Sequence, residues 1–114
     1  MIYTSITFFA LAAIIGMILL SYVLKDKETP KGIAVIHGVL AATGLVLLIY
    51  YIVDNPGPVE SVVLFVIAAL GGAILFIRDI SGKKVPKWLA VLHGLIAVAG
   101  FIFLLVFAFG NAGG

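Results

Sequence analysis

Cysteine is absent from this 114-residue chain, and charge is nearly so, at 11% of residues. Without thiols there are no disulfides, no thiolate metal sites and no iron–sulfur clusters, and the redox compartment is left unread. A soluble domain carries about 25% charged residues and roughly half apolar ones. Here 64% are hydrophobic. That excess is too large to hide inside a globule this small, so much of it must face lipid. The formal charge of +2 is no nucleic-acid signature. Where the charges sit matters more than their sum.

Four stretches hold no charge: 2–24, 32–53, 62–77 and 88–110. Crossing a bilayer core takes about 20 predominantly apolar residues, with a range of about 17–25. All four qualify, the third being the shortest, with a start that can reach back to Pro58. The first run has no basic residue before it and exceeds the 7–15-residue apolar core of a signal peptide. It is expected to be a retained helix. The fold class that follows is an all-α integral membrane protein, a four-helix up-down bundle.

The charges sort by loop. Lys25, Lys27 and Lys31 fall between the first two spans, and Arg78, Lys83, Lys84 and Lys87 between the last two. These are all seven basic residues, and both loops lie on one side of the membrane. The middle loop offers only Asp54 and Glu60. Cytoplasmic loops collect Lys and Arg. Loops 25–31 and 78–87 are therefore expected to be cytoplasmic and both termini outside, in a bacterial inner (plasma) membrane. Trp88, Tyr50 and Tyr51 sit near span ends, as aromatic belts do.

Shifted by 56 residues, the chain aligns with itself without a gap, with 13 identities in the 33 positions from Gly16 to Leu48. Pro30-Lys31 lies over Pro86-Lys87 and His37-Gly38 over His93-Gly94. Ala12-Ala13, Gly16, Ala41, Gly44 and Leu48 also find their likes. The single transmembrane domain, 1–114, thus divides into repeats at about 2–53 and 58–110. Each repeat holds two spans, so both enter the membrane in the same direction, related by a pseudo-two-fold axis along its normal. Two parallel hairpins place His37 and His93 at one depth. Each follows its Pro-Lys by six residues, about 9 Å in from the cytoplasmic side at 1.5 Å per residue.

Ionisable groups inside a membrane are rare, and are functional-site candidates by default. His37 and His93 are the only histidines, and no carboxylate or other cation lies clearly within a span. A proton-coupled exporter would be expected to carry a carboxylate there. A Ser-His-Asp arrangement lacks its buried acid, and a zinc site lacks a third ligand. Two neutral imidazoles suit an iron that already has four equatorial nitrogens, which is haem.

Positions i−3, i+4 and i+7 share a helix face with i. Around His37 these are Ala34, Ala41 and Gly44, and around His93 they are Ala90, Ala97 and Gly100. Gly38 and Gly94 follow the histidines directly. Such a face leaves a recess for a flat macrocycle. In an up-down bundle the second and fourth helices are diagonal, with axes about 12–14 Å apart, by geometry from neighbour spacings of 8–10 Å. The expected site is haem b, with His37 and His93 as axial and metal ligands and the small residues lining it. Lys31, Arg78 and Lys87 are candidate propionate partners. Thr43, Ser21 and Tyr22 read as packing or backbone-bonded groups.

Ile36-His37-Gly38-Val39-Leu40 and Leu92-His93-Gly94-Leu95-Ile96 resemble segments of the cytochrome b561-like membrane b-type cytochromes, four-helix proteins that ligate haem b through helix histidines. The resemblance covers the helix number and these two segments. It implies electron transfer, an oxidoreductase role linked to quinone or to a small oxidant such as superoxide. Two-haem members carry four ligating histidines near both membrane faces. This chain has two, both near one face. Two filled axial positions favour electron transfer over oxygen binding, and ligation between protomers of a homodimer is compatible with the same residues. The competing readings are a cofactor-free transporter or channel, and an assembly subunit whose histidines only pack.

Overall fold

The computed structural model describes residues 1–110; residues 111–114 of the single domain lie outside them. Four helices follow one another: α1 Ile2–Leu24, α2 Lys31–Asp54, α3 Val59–Ile80 and α4 Lys87–Gly110. They have 22 to 24 residues each, or about 33–36 Å at the α-helical rise. That exceeds the roughly 30 Å hydrocarbon core of a bilayer. All four are long and apolar enough to cross a membrane.

The fold is all-helical among the described residues, and the helices pack as a bundle 48 Å long and about 20 Å across. Each hairpin is tight within itself, α1 on α2 and α3 on α4. The hairpins meet more loosely through α1 on α4 and α2 on α3. Helices α1 and α3 face each other across one diagonal, α2 and α4 across the other. Side chains such as Met17, Val46, Leu70 and Val106 stand exposed on the outside. In water so much apolar surface would drive aggregation, whereas lipid tails cover it without cost.

The repeat survives in three dimensions down to single hydrogen bonds. Helix α1 ends with the Asp26 N–H on the Val23 carbonyl and the Lys27 N–H on the Tyr22 carbonyl; α3 ends with the Gly82 N–H on Asp79 and the Lys83 N–H on Arg78. Both are helix ends of the Schellman type, in which the turning residue takes a positive φ. Those residues are Asp26 (φ 56) and Gly82 (φ 73), 56 apart. Glycine takes that conformation freely, and aspartate is among the few other residues that tolerate it.

The core repeats as well. Ser5, Phe9 and Ala12 of α1 are buried, as are Ser61, Phe65 and Ala68 of α3. Gly44 and Leu48 of α2 are matched by Gly100 and Leu104 of α4. Three ring pairs lie on the axis between the hairpins, each joining a residue to its own counterpart. Phe9 and Phe65 stack at 3.8 Å across the α1–α3 diagonal. His37 meets His93 at 6.3 Å and Tyr51 meets Phe107 at 6.4 Å, both edge-on across the α2–α4 diagonal. Tyr51 is therefore half-buried in the bundle, while Tyr50 is exposed at the belt position. The core alternates diagonals along its length because a ring pair from one diagonal fills the section.

At the loop end the hairpins are clasped by charge. Lys31 Nζ lies 2.9 Å from Asp79 Oδ1 and also donates to the Thr29 carbonyl, while Thr29 Oγ1 donates to the other oxygen of Asp79. Lys87 Nζ lies 3.0 Å from Asp26 Oδ2. Each repeat's Pro-Lys thus reaches an acid of the opposite hairpin.

Candidate functional site

The two imidazoles come from equivalent turns of α2 and α4 and point into the bundle, half-buried. Each is fixed from the neighbouring helix of its own hairpin. His37 Nδ1 lies 2.8 Å from the Ala12 carbonyl oxygen and His93 Nδ1 lies 2.7 Å from that of Ala68. A carbonyl only accepts, so Nδ1 carries the proton in both rings. In a neutral imidazole the lone pair is then on Nε2. No hydrogen bond is made to either Nε2 among the described residues. This is the arrangement in which metal-binding histidines are held, one ring nitrogen bonded to a backbone carbonyl and the other free.

Glycine makes the approach possible. A methyl group added at Gly16 would sit 2.8 Å from His37 Cε1, and one at Gly72 would sit 3.0 Å from His93 Cε1. Each imidazole therefore rests on bare backbone of α1 or α3 beside the carbonyl it bonds. These contacts follow the same offset of 56. The sequence marks all four residues as repeat matches, but a backbone acceptor has no side-chain signature.

The small residues expected around the histidines divide into three groups. Ala34, Ala41, Ala90 and Ala97 lie on the inward side, Ala90 buried and the others half-buried. Gly44 and Gly100 serve the phenyl stack instead. A methyl group added at Gly44 would sit 3.3 Å from Phe8 and Phe9, and one at Gly100 would sit 3.3 Å from Leu64 and Phe65. Gly38 and Gly94 have open space where a side chain would be. They point away from the imidazoles, because a residue one step along a helix is rotated by about 100°.

The three basic candidates are engaged elsewhere. Lys31 and Lys87 hold the two clasps, and Arg78 donates through Nε and Nη2 to the Lys84 carbonyl. Thr43 and Ser21 bond to backbone carbonyls of their own helices.

The ring centres lie 6.3 Å apart with planes at 79°. No cluster of three or more His, Asp or Glu occurs among the described residues. Two nitrogens alone suit a metal that brings its own remaining ligands. No protein-family model, curated protein or solved structure matches this chain.

Proposed function

We propose that the chain is a membrane-embedded b-type cytochrome that holds one haem b between His37 and His93 and transfers electrons. The observation carrying this reading is the pair of imidazoles at 6.3 Å, each with Nδ1 bonded to a backbone carbonyl and Nε2 without a partner. A histidine that served only to tie helices together would need one hydrogen bond and no matched counterpart. Here both rings are held in the same way, and Gly16 and Gly72 clear the backbone beside them.

His37 and His93 would hold the haem, which would supply a reversible one-electron couple. The protein's part is to hold two neutral imidazoles in the Nδ1–H tautomer, exclude water with lipid-facing helices, and fix the rings from two neighbouring carbonyls. Such bonds raise ligand basicity and set ring orientation. Lys31 and Lys87 are paired with carboxylates, so propionate contact with them is not part of the proposal. A quinone, a small oxidant such as superoxide or another redox protein would exchange electrons with the site. The reading takes loops 25–31 and 78–87, which carry all seven basic residues, to face the cytoplasm of a bacterial cell, with both termini outside; the collection of Lys and Arg in cytoplasmic loops supports it.

The test is optical. Protein purified in detergent is expected to be red, with a Soret band that sharpens on reduction. His37→Ala and His93→Ala should each abolish that spectrum while the helical content persists. Protein that stays colourless after haem reconstitution would overturn the reading.

A further inference from the structure

One surface feature breaks the repeat. At the start of α4, Lys87, Trp88, Val91, Leu92 and Leu95 line an open, almost wholly apolar groove on the outside of the bundle. The indole of Trp88, the chain's only tryptophan, forms one wall and is 69% exposed. At the matching place on α2 the tryptophan is replaced by Gly32, so that face has no such wall. The groove runs seven residues from Trp88 to Leu95, about 10 Å along the helix, from the loop end toward the bilayer middle.

Positive charge gathers in the chain just before it. Lys83 and Lys84 precede the helix, and their ammonium groups make no ion pair among the described residues. Asp26 is the one acid paired there, with Lys87. The hydrogen bond and charge of Lys87 hold the Asp26 carboxyl below its usual value, and the field of Lys84 adds a smaller share, so two cations act on one carboxylate. The first turn of α4 contains no acidic residue, leaving the positive end of its dipole uncompensated.

We propose that this groove binds one anionic glycerophospholipid. The phosphate sits at the two unpaired cations Lys83 and Lys84, and an acyl chain lies along Trp88, Val91, Leu92 and Leu95. Cations, indole wall and apolar floor follow the order of headgroup, interface and tail. A neutral zwitterionic lipid satisfies the floor but not the cations. The proposal stands whether or not the histidines hold haem.

Trp88 is its own probe. The purified chain is placed in phosphatidylcholine vesicles with increasing fractions of bromine-labelled phosphatidylglycerol or bromine-labelled phosphatidylcholine, and indole quenching is read. The labelled phosphatidylglycerol should quench at the lower mole fraction. Each lysine removed in Lys84→Gln and in the Lys83→Gln/Lys84→Gln pair should cut that preference about fivefold, the worth of one cation at an anionic surface. The pair Lys25→Gln/Lys27→Gln, in the other loop, should leave it unchanged. Equal quenching by the two lipids would overturn the site. So would an equal loss from the two lysine pairs, since that is the response of general surface charge.

Discussion

His37 and His93 sit across a diagonal of the bundle with ring centres 6.3 Å apart and planes 79° apart, each tied by Nδ1 to a carbonyl 25 residues earlier. Four groups on four helices produce this arrangement, and glycine is what lets the outer two approach.

Gly16 and Gly38 should therefore respond oppositely to the same change. Gly16→Ala drives a methyl into the His37 ring. Overpacking of that kind costs about 1–3 kcal/mol, and the ring must leave the Ala12 carbonyl. Gly38→Ala meets nothing and should gain about 0.5–1 kcal/mol from reduced backbone freedom in the unfolded chain. Thermal unfolding followed by circular dichroism in detergent reads both, and nitrogen NMR of the imidazole reads the tautomer. Gly72→Ala, whose methyl would meet His93 Cε1 at 3.0 Å, should cost less than Gly16→Ala, and Gly94→Ala, like Gly38→Ala, meets nothing.

The two buried serines form a second asymmetric pair. Ser5 Oγ donates to the Gly44 carbonyl at 2.8 Å, whereas Ser61 Oγ has no partner. Ser5→Ala should cost about 0.6 kcal/mol, the average for such bonds between membrane helices. Ser61→Ala should be neutral or stabilising, because it removes a buried hydroxyl that bonds nothing. Equal losses at both positions would show that Ser61 finds a partner in the membrane.

The clasps differ in burial. The Asp79 side chain is 15% exposed and accepts from both Lys31 and Thr29. Asp79→Ala should cost about 1.5–3 kcal/mol, the range for a charged hydrogen bond. Asp26→Asn should change thermal stability little, since its carboxylate is open to solvent and such pairs are screened by salt.

Asp26 also sets a pH signature. Its hydrogen bond and charge contact with Lys87 hold the carboxyl below the unfolded value of 3.8. A group depressed in this way contributes stability above the unfolded pKa and loses it as pH falls through 3.8 toward the lower folded value. Acid titration of the melting temperature should show a small decline in that window at low salt, absent in Asp26→Asn.

The fold was legible in the sequence because lipid demands continuous apolar runs. The apolar run 62–77 becomes α3 Val59–Ile80, longer by three residues at each end. Glu60, Arg78 and Asp79 lie within the helix, since backbone hydrogen bonding continues past the hydrocarbon edge while charge marks only that edge. The parallel repeat put both histidines at one depth. Ala12 and Ala68 as acceptors were not legible, because any residue supplies a carbonyl. Nor was the use of Gly44 and Gly100 by Phe9 and Phe65. A glycine's vacancy is visible in the sequence, but which neighbour fills it depends on helix rotation. Lys31 and Lys87 read as candidate propionate partners because the acids they pair with lie 48 and 61 residues away.

The three ring pairs on the axis have a consequence for inheritance. Every one joins a residue to its own copy, so a lone hairpin meeting a second identical hairpin would already bring phenyl to phenyl and imidazole to imidazole. Joining two such units by the short stretch from Asn55 to Pro58 frees each half to change alone. Trp88 opposite Gly32, Gly82 opposite Asp26 and Phe107 opposite Tyr51 are places where one half has departed while its twin kept the contact or the turn going. A homodimer must accept every substitution twice; this chain accepts it once.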